Sequence, residues 1–130
     1  MENHYDEEDA DWVTMASRYA AIEEQPRFRE LDTHLYSHPH LAWPLLLELL
    51  AEVPDDLVFL VGCGPLETFI NRHGAAFVDQ LECEARENER FREAIVEVNL
   101  RQGKLPAPVE SRLVAAFGRR FELLPRLEDE

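Results

Sequence analysis

The sequence predicts an all-α protein, built as a compact bundle or a short helical-repeat-like stack of about six to seven helices. Apolar residues recur with the 3.6-residue period of helices over most of the chain, and Pro or Gly separates one apolar stretch from the next. The composition is globular, with 45% hydrophobic and 31% charged residues in a chain of 130. We therefore expect a single helical domain over residues 1–130, with frayed acidic termini at 1–8 and 125–130.

The first predicted helix covers residues 9–24. Trp12 and Met15 begin its apolar side, and acidic residues occupy its first turn, where the helix dipole favours negative charge. Pro26 ends or restarts the helix, because proline lacks the amide hydrogen that a helix interior needs. Helical spacing then continues until Pro39.

The strongest helical pattern is "HLAWPLLLELLAEV", residues 40–53. Its apolar stripe consists of Ala42, Leu45, Leu46, Leu49, Leu50 and Val53. Leu41, Trp43 and Leu47 widen the apolar surface beyond this stripe, so we expect the helix to be buried on more than one side. The extra apolar surface also leaves open a homo-oligomer.

Proline and glycine mark the remaining helices. Pro65 suits a first helical turn and Gly74 suits a helix end, so a helix is expected between them. Three more helices are predicted at residues 75–87, 89–99 and 108–118. The stretch "GKLPAP", residues 103–108, is predicted to be a linker.

The segment "VFLVGCGPLE", residues 58–67, has two interpretations. An apolar run before Gly-x-Gly resembles the first motif of S-adenosylmethionine-dependent methyltransferases, in which a strand precedes a glycine-rich cofactor loop. In that alignment Leu60 stands at the usual acidic position and Leu66 stands at the third glycine, where a side chain blocks close approach. A doubly wound sheet also needs several strands, and Ile95–Leu100 is the only plausible second one.

The favoured interpretation is a corner between two helices. Gly62 is predicted to adopt the left-handed conformation that caps a helix, and Gly64 to let the chain reverse. Pro65 then opens the next helix, and Glu67 lies in its first turn near the positive end of the dipole.

Residues 62–98 resemble an uncharacterised bacterial family, a domain of unknown function. The resemblance rests on a Gly-x-Gly-Pro-Leu-Glu motif, a short helix ending in His-Gly, and an acidic helix leading to Arg-Phe-Arg. The matching residues are Gly62, Gly64, Pro65, Leu66, Glu67, His73, Gly74, Arg90, Phe91 and Arg92. The preceding stretch fits the same pattern, so the resemblance covers residues 39–98 or so. It implies an architecture and carries no activity.

The charge of the chain limits its partners. Asp and Glu number 27 against 13 Lys and Arg, giving a net charge of −14. Nucleic-acid phosphates and anionic membranes require clustered cations, so neither is an expected partner, whereas a basic protein would be attracted. The acidic start is unlike a signal peptide, and no apolar run approaches the ~20 residues that span a bilayer, so a cytoplasmic location is expected.

Other polar clusters predict little chemistry. His34 and His38 stand four residues apart with His40 nearby, a spacing that can share a metal on a helix, but a surface loop of neutral imidazoles is the favoured interpretation. Cys63 and Cys83 are expected to be small buried side chains.

Charges alternate in sign over residues 82–93. The pairs Glu82–Arg86 and Glu89–Arg92 have the spacing of ion pairs on an exposed helix. We therefore expect this stretch to be a solvated helix face. His73, just before Gly74, is expected to cap a helix end rather than to act as a base.

No catalytic, cofactor-binding or metal-binding residue is assigned, and no cofactor is expected. The favoured function is a non-enzymatic, acidic helical interaction module, for example an immunity- or antitoxin-like protein that neutralises a basic partner. The alternative is a small-molecule binder or enzyme that uses the Gly62–Gly64 corner.

Overall fold

Helices account for most of residues 16–118, the part of the chain that the computed structural model describes. Helix α1 is described over residues 16–23. The other α-helices are α2 (Pro26–His34), α3 (Pro39–Glu52), α4 (Val58–Val61), α5 (Glu67–His73), α6 (Val78–Glu87), α7 (Glu89–Ile95) and α8 (Ala107–Phe117). No β-strand occurs between residues 16 and 118, so the predicted all-α class is confirmed. The predictions for Trp12, Met15 and the two acidic termini fall outside the described residues.

Prolines begin several helices. Pro26 and Pro39 lie in the first turns of α2 and α3, where the missing amide hydrogen costs no helical hydrogen bond. Pro44 lies inside α3. α7 instead begins at a side-chain cap, because Asn88 Oδ1 accepts a hydrogen bond from the backbone nitrogen of Phe91 at 3.1 Å.

An aromatic cluster connects the helices at the centre of the core. The ring of Trp43 on α3 lies 5.2 Å from Phe69 on α5, 5.9 Å from Phe77 and 6.4 Å from Phe91 on α7, measured between centroids. Phe69, Phe77 and Phe91 are almost fully buried. Aromatic pairs at such distances contribute about 0.5–1.5 kcal/mol each beyond burial, so one tryptophan couples three other elements.

Helix α8 closes the bundle against α6. Leu113 is fully buried, and the Arg112 guanidinium contacts Asp79 at 2.5 Å and Glu82 at 2.6 Å. The hydrogen bond from Arg112 lowers the pKa of the Glu82 carboxyl below its ordinary value. Glu82 therefore bonds to a residue of α8, whereas the sequence predicted a pair with Arg86 on its own helix.

Candidate functional site

Gly62 lies in a tight crossing of two helices. It begins a single π-helical turn, Gly62–Leu66, which joins α4 to α5. Its dihedral angles, φ −63° and ψ −51°, are right-handed helical, so the predicted left-handed cap is wrong. A Cβ atom at this position would lie 2.1 Å from the carbonyl oxygen of Ala94 on α7. Glycine is present here because the backbone of α7 leaves no room for a side chain.

Gly64 breaks the helical path in the middle of this turn. Its φ of −112° and ψ of −105° are not helical, so the helical path is kinked at this residue. A Cβ atom would lie 2.8 Å from the Tyr19 hydroxyl oxygen, so a ring of α1 covers the corner. Cys63 is exposed, so the prediction of a buried thiol is wrong for this residue. The pKa of its thiol is raised, mainly by partial desolvation and secondly by the negative charge of Glu67.

Glu67 and Asn71, one turn apart on α5, hold the chain that follows α7. Glu67 Oε1 accepts a hydrogen bond from the backbone nitrogen of Asn99 at 2.9 Å. Asn71 Nδ2 donates to the Asn99 carbonyl oxygen at 3.1 Å and to the Glu67 carbonyl oxygen at 3.0 Å. Both backbone groups of Asn99 are therefore bound by α5.

The last turn of α5 binds the end of α2. His73 Nε2 lies 2.8 Å from the carbonyl oxygen of Leu35, a geometry in which the imidazole N–H donates. Arg72 Nε donates to the carbonyl oxygen of Tyr36 at 3.1 Å, and its guanidinium lies 5.2 Å from the centre of the Tyr36 ring. Gly74 follows as the residue after the helix, where its amide still bonds to the carbonyl of Ile70 at 2.8 Å.

The Arg-Phe-Arg stretch satisfies carbonyl groups at two helix ends. Arg90 Nε donates to the carbonyl oxygen of Leu50 at 2.8 Å, and its Nη2 donates to that of Val53. Arg92 Nη1 donates to the carbonyls of Ala85 at 3.2 Å and Arg86 at 3.0 Å. The carbonyls at the end of a helix lack partners within that helix. These two arginines therefore supply the missing hydrogen-bond donors at the ends of α3 and α6. The predicted Glu89–Arg92 pair does not form.

An open polar cleft of about 490 Å³ lies beside the clamp on Asn99. It is lined by Tyr36, Glu67, Thr68, Asn71, Arg72, Arg101 and Lys104. Among the predicted site residues, only Glu67 reaches this cleft; Gly62, Gly64, Pro65, Leu66, His73 and Gly74 do not line it. Arg101 and Lys104 were not predicted as site residues, because they lie between the predicted helices 89–99 and 108–118 and belong to no motif.

The histidines do not converge. His34 Nδ1 and His38 Nδ1 lie 3.5 Å apart, but the ring of His40 packs on Phe77 at 5.1 Å between centroids. Between residues 16 and 118 no group of three or more His, Cys, Asp or Glu side chains is placed to hold a metal ion.

The fold and the contacts of its motif residues define a small helical-bundle protein with a glycine-dependent joint and a polar cleft. Residues 21–119 match the profile of a family of unknown function (DUF6869). The chain belongs to this family. No curated protein and no solved structure compared with the chain matches it. No helix in the described part of the chain is both long and apolar enough to cross a membrane.

Proposed function

We propose that the protein is a non-catalytic interaction module whose acidic surface binds a basic protein partner. The observation that carries this proposal is a row of three carboxylates, Glu89, Glu93 and Glu97, which we call the acidic row. These residues follow one another at four-residue spacing along α7 and the turn after it, and all three are exposed. Residues four apart lie on the same side of a helix.

The opposite side of α7 fixes the orientation of the acidic row. Phe91, Ala94 and Ile95 are buried in the core, so α7 cannot rotate to hide its carboxylates. No Lys, Arg or His of residues 16–118 lies within 4 Å of Glu89, Glu93 or Glu97 as an ion-pair partner. Like charges at this spacing repel one another, and a cationic partner would remove that repulsion.

Other acidic residues already have partners on the protein itself. Arg27 contacts Glu30, Glu48 and Glu52 at 3.0–3.4 Å, and Arg112 binds Asp79 and Glu82. The three carboxylates of the acidic row, in contrast, have no ion-pair partner among the described residues, so they are available to bind another molecule. An immunity- or antitoxin-like role, in which the acidic surface covers a basic partner, is the form of this function that we propose.

The geometry of the glycine corner gives less support to the alternative function, a small-molecule binder or enzyme that uses Gly62 and Gly64. A cofactor loop of the methyltransferase type follows a strand of a doubly wound sheet, and residues 16–118 contain no strand. The backbone of α7 fills the space next to Gly62, and the Tyr19 ring lies against Gly64, so both glycines have a structural reason.

Affinity capture from the native host at low and moderate salt tests the proposed interaction. The bait would be the full chain, compared with a Glu89→Gln/Glu93→Gln/Glu97→Gln variant. A matched control, Glu23→Gln/Glu24→Gln/Asp32→Asn, removes the same charge from exposed acids elsewhere.

We expect one basic protein to bind the full chain and the control, to dissociate as salt rises, and to bind the acidic-row variant much more weakly. Equal capture by all three proteins, or no salt-sensitive partner at all, would contradict the proposal.

A further inference from the structure

We propose that the cleft between α5, Tyr36 and the 101–104 turn binds a small multivalent oxyanion, a molecule that bears phosphate or several carboxylates. The cleft volume, about 490 Å³, lies within the usual range of small-molecule sites. None of the acidic-row residues lines this cleft, and the charge of its lining has the opposite sign.

Three cationic residues line the cleft: Arg72, Arg101 and Lys104. Its single carboxylate, Glu67, accepts a hydrogen bond from the backbone of Asn99 and forms no ion pair with these cations among the described residues. The lining therefore carries an excess of two positive charges.

This excess runs against the composition of the chain, in which acids outnumber Lys and Arg by 27 to 13. Arg27, Arg90 and Arg112 each contact at least one carboxylate within 3.4 Å. Gathering three cations around a single carboxylate is unfavourable by itself, because the uncompensated like charges repel. A bound oxyanion would remove this repulsion.

The Arg72 guanidinium is positioned in advance. Its Nε donates to the Tyr36 carbonyl oxygen at 3.1 Å, and the Tyr36 ring supports it at 5.2 Å. Nη1 and Nη2 make no hydrogen bond to the described residues, so the two terminal nitrogens remain for a ligand. A planar guanidinium held in this way matches the geometry of phosphate or carboxylate oxygens.

Arg101 and Lys104 supply charge from a different element. Both side chains are exposed and form no hydrogen bond or ion pair with the described residues. The Thr68 hydroxyl, on the α5 side, adds a neutral donor to the lining. Charge from two segments of the chain and a hydroxyl in the same lining form a site for an anion with more than one negative group.

Calorimetric titration of the full chain with pyrophosphate and with citrate tests the site. The variant Arg101→Gln/Lys104→Gln removes two cations that make no bonds within the described fold, so we expect its thermal unfolding to match that of the unmodified protein. The matched control Arg29→Gln/Arg86→Gln removes the same charge at exposed positions that do not line the cleft.

We expect at least one probe to bind the unmodified protein and the control equally, and to bind the Arg101→Gln/Lys104→Gln variant at least about tenfold more weakly. Binding of pyrophosphate alone would identify a phosphate-bearing ligand, binding of citrate alone a polycarboxylate, and binding of both a general oxyanion site. No binding of either probe at millimolar concentration, or equal binding by the cleft variant, would overturn the proposal.

Discussion

At the scale of single residues, Gly62 shows how one missing side chain sets the distance between two helices. Gly62→Ala would place a Cβ atom 2.1 Å from the Ala94 carbonyl oxygen, so α4 and α7 would have to move apart. Overpacking of a rigid contact costs about 1–3 kcal/mol. We expect urea unfolding to show a loss of free energy in this range.

Gly64→Ala is the comparison for Gly62→Ala. Its nearest neighbour is the Tyr19 hydroxyl at 2.8 Å, the far end of a side chain that can rotate away. We expect a smaller loss of stability than for Gly62→Ala. Equal losses for the two variants would show that backbone crowding at Ala94 is not the reason for the glycine.

Arg90 is a second residue whose contribution can be measured. Arg90→Gln removes hydrogen bonds to the carbonyls of Leu50 and Val53, and bonds of this kind to a charged group are worth about 1.5–3 kcal/mol. We expect a loss of stability of that size in denaturant unfolding.

Asp55→Asn separates the carbonyl bonds of Arg90 from its ion pair. Asp55 contacts Arg90 at 2.5 Å, but its side chain is 96% exposed, and exposed pairs contribute little. We expect Asp55→Asn to change stability by less than about 0.5 kcal/mol. A cost for Asp55→Asn as large as that for Arg90→Gln would assign the effect to the ion pair instead.

At the scale of elements, the end of α7 depends on contacts from α5. Glu67→Ala removes the acceptor for the Asn99 amide, which Glu67 Oε1 binds at 2.9 Å. We expect hydrogen exchange at the Asn99 amide to accelerate about 3–10-fold, while the Phe91 amide, bonded to Asn88 Oδ1, keeps its rate.

Glu67→Gln is the matched control, because glutamine keeps an acceptor oxygen at this position. We expect its Asn99 amide to exchange at nearly the unmodified rate. Equal acceleration in both variants would mean that the charge of Glu67, rather than its hydrogen bond, holds this segment.

Local periodicity predicted the positions of most elements, and its errors have a common cause. The predicted helices 40–53 and 108–118 correspond to α3, Pro39–Glu52, and α8, Ala107–Phe117. The predicted helix 89–99 ends early, at Ile95, and both backbone groups of Asn99 bond to α5 instead of extending the helix. A contact between residues 32 positions apart is not encoded in a local pattern.

The cleft was missed for the same reason. Tyr36, Arg72 and Arg101 are far apart in the chain and share no periodic pattern, so only the packing of α5 brings them together. The left-handed cap predicted for the glycine corner was wrong, since the approach of α7 to Gly62 could not be seen in the sequence.

At the scale of the whole molecule, a net charge of −14 opposes folding through repulsion between like charges. Salt screens this repulsion, so we expect the thermal midpoint to rise as NaCl increases from about 20 to about 300 mM. The Glu89→Gln/Glu93→Gln/Glu97→Gln variant, with less charge, should show a smaller rise. A midpoint that falls with salt would show that screening of attractive ion pairs outweighs screening of repulsion.

Three of the hydrogen bonds between distant elements join residues that are 36 to 40 positions apart. Leu35 and His73 are 38 positions apart, Tyr36 and Arg72 are 36 apart, and Leu50 and Arg90 are 40 apart. During synthesis, the end of α3 therefore stays incomplete until Arg90 has left the ribosome. We therefore expect a nascent fragment that stops before α7 to expose leucines of α3 to chaperones and proteases.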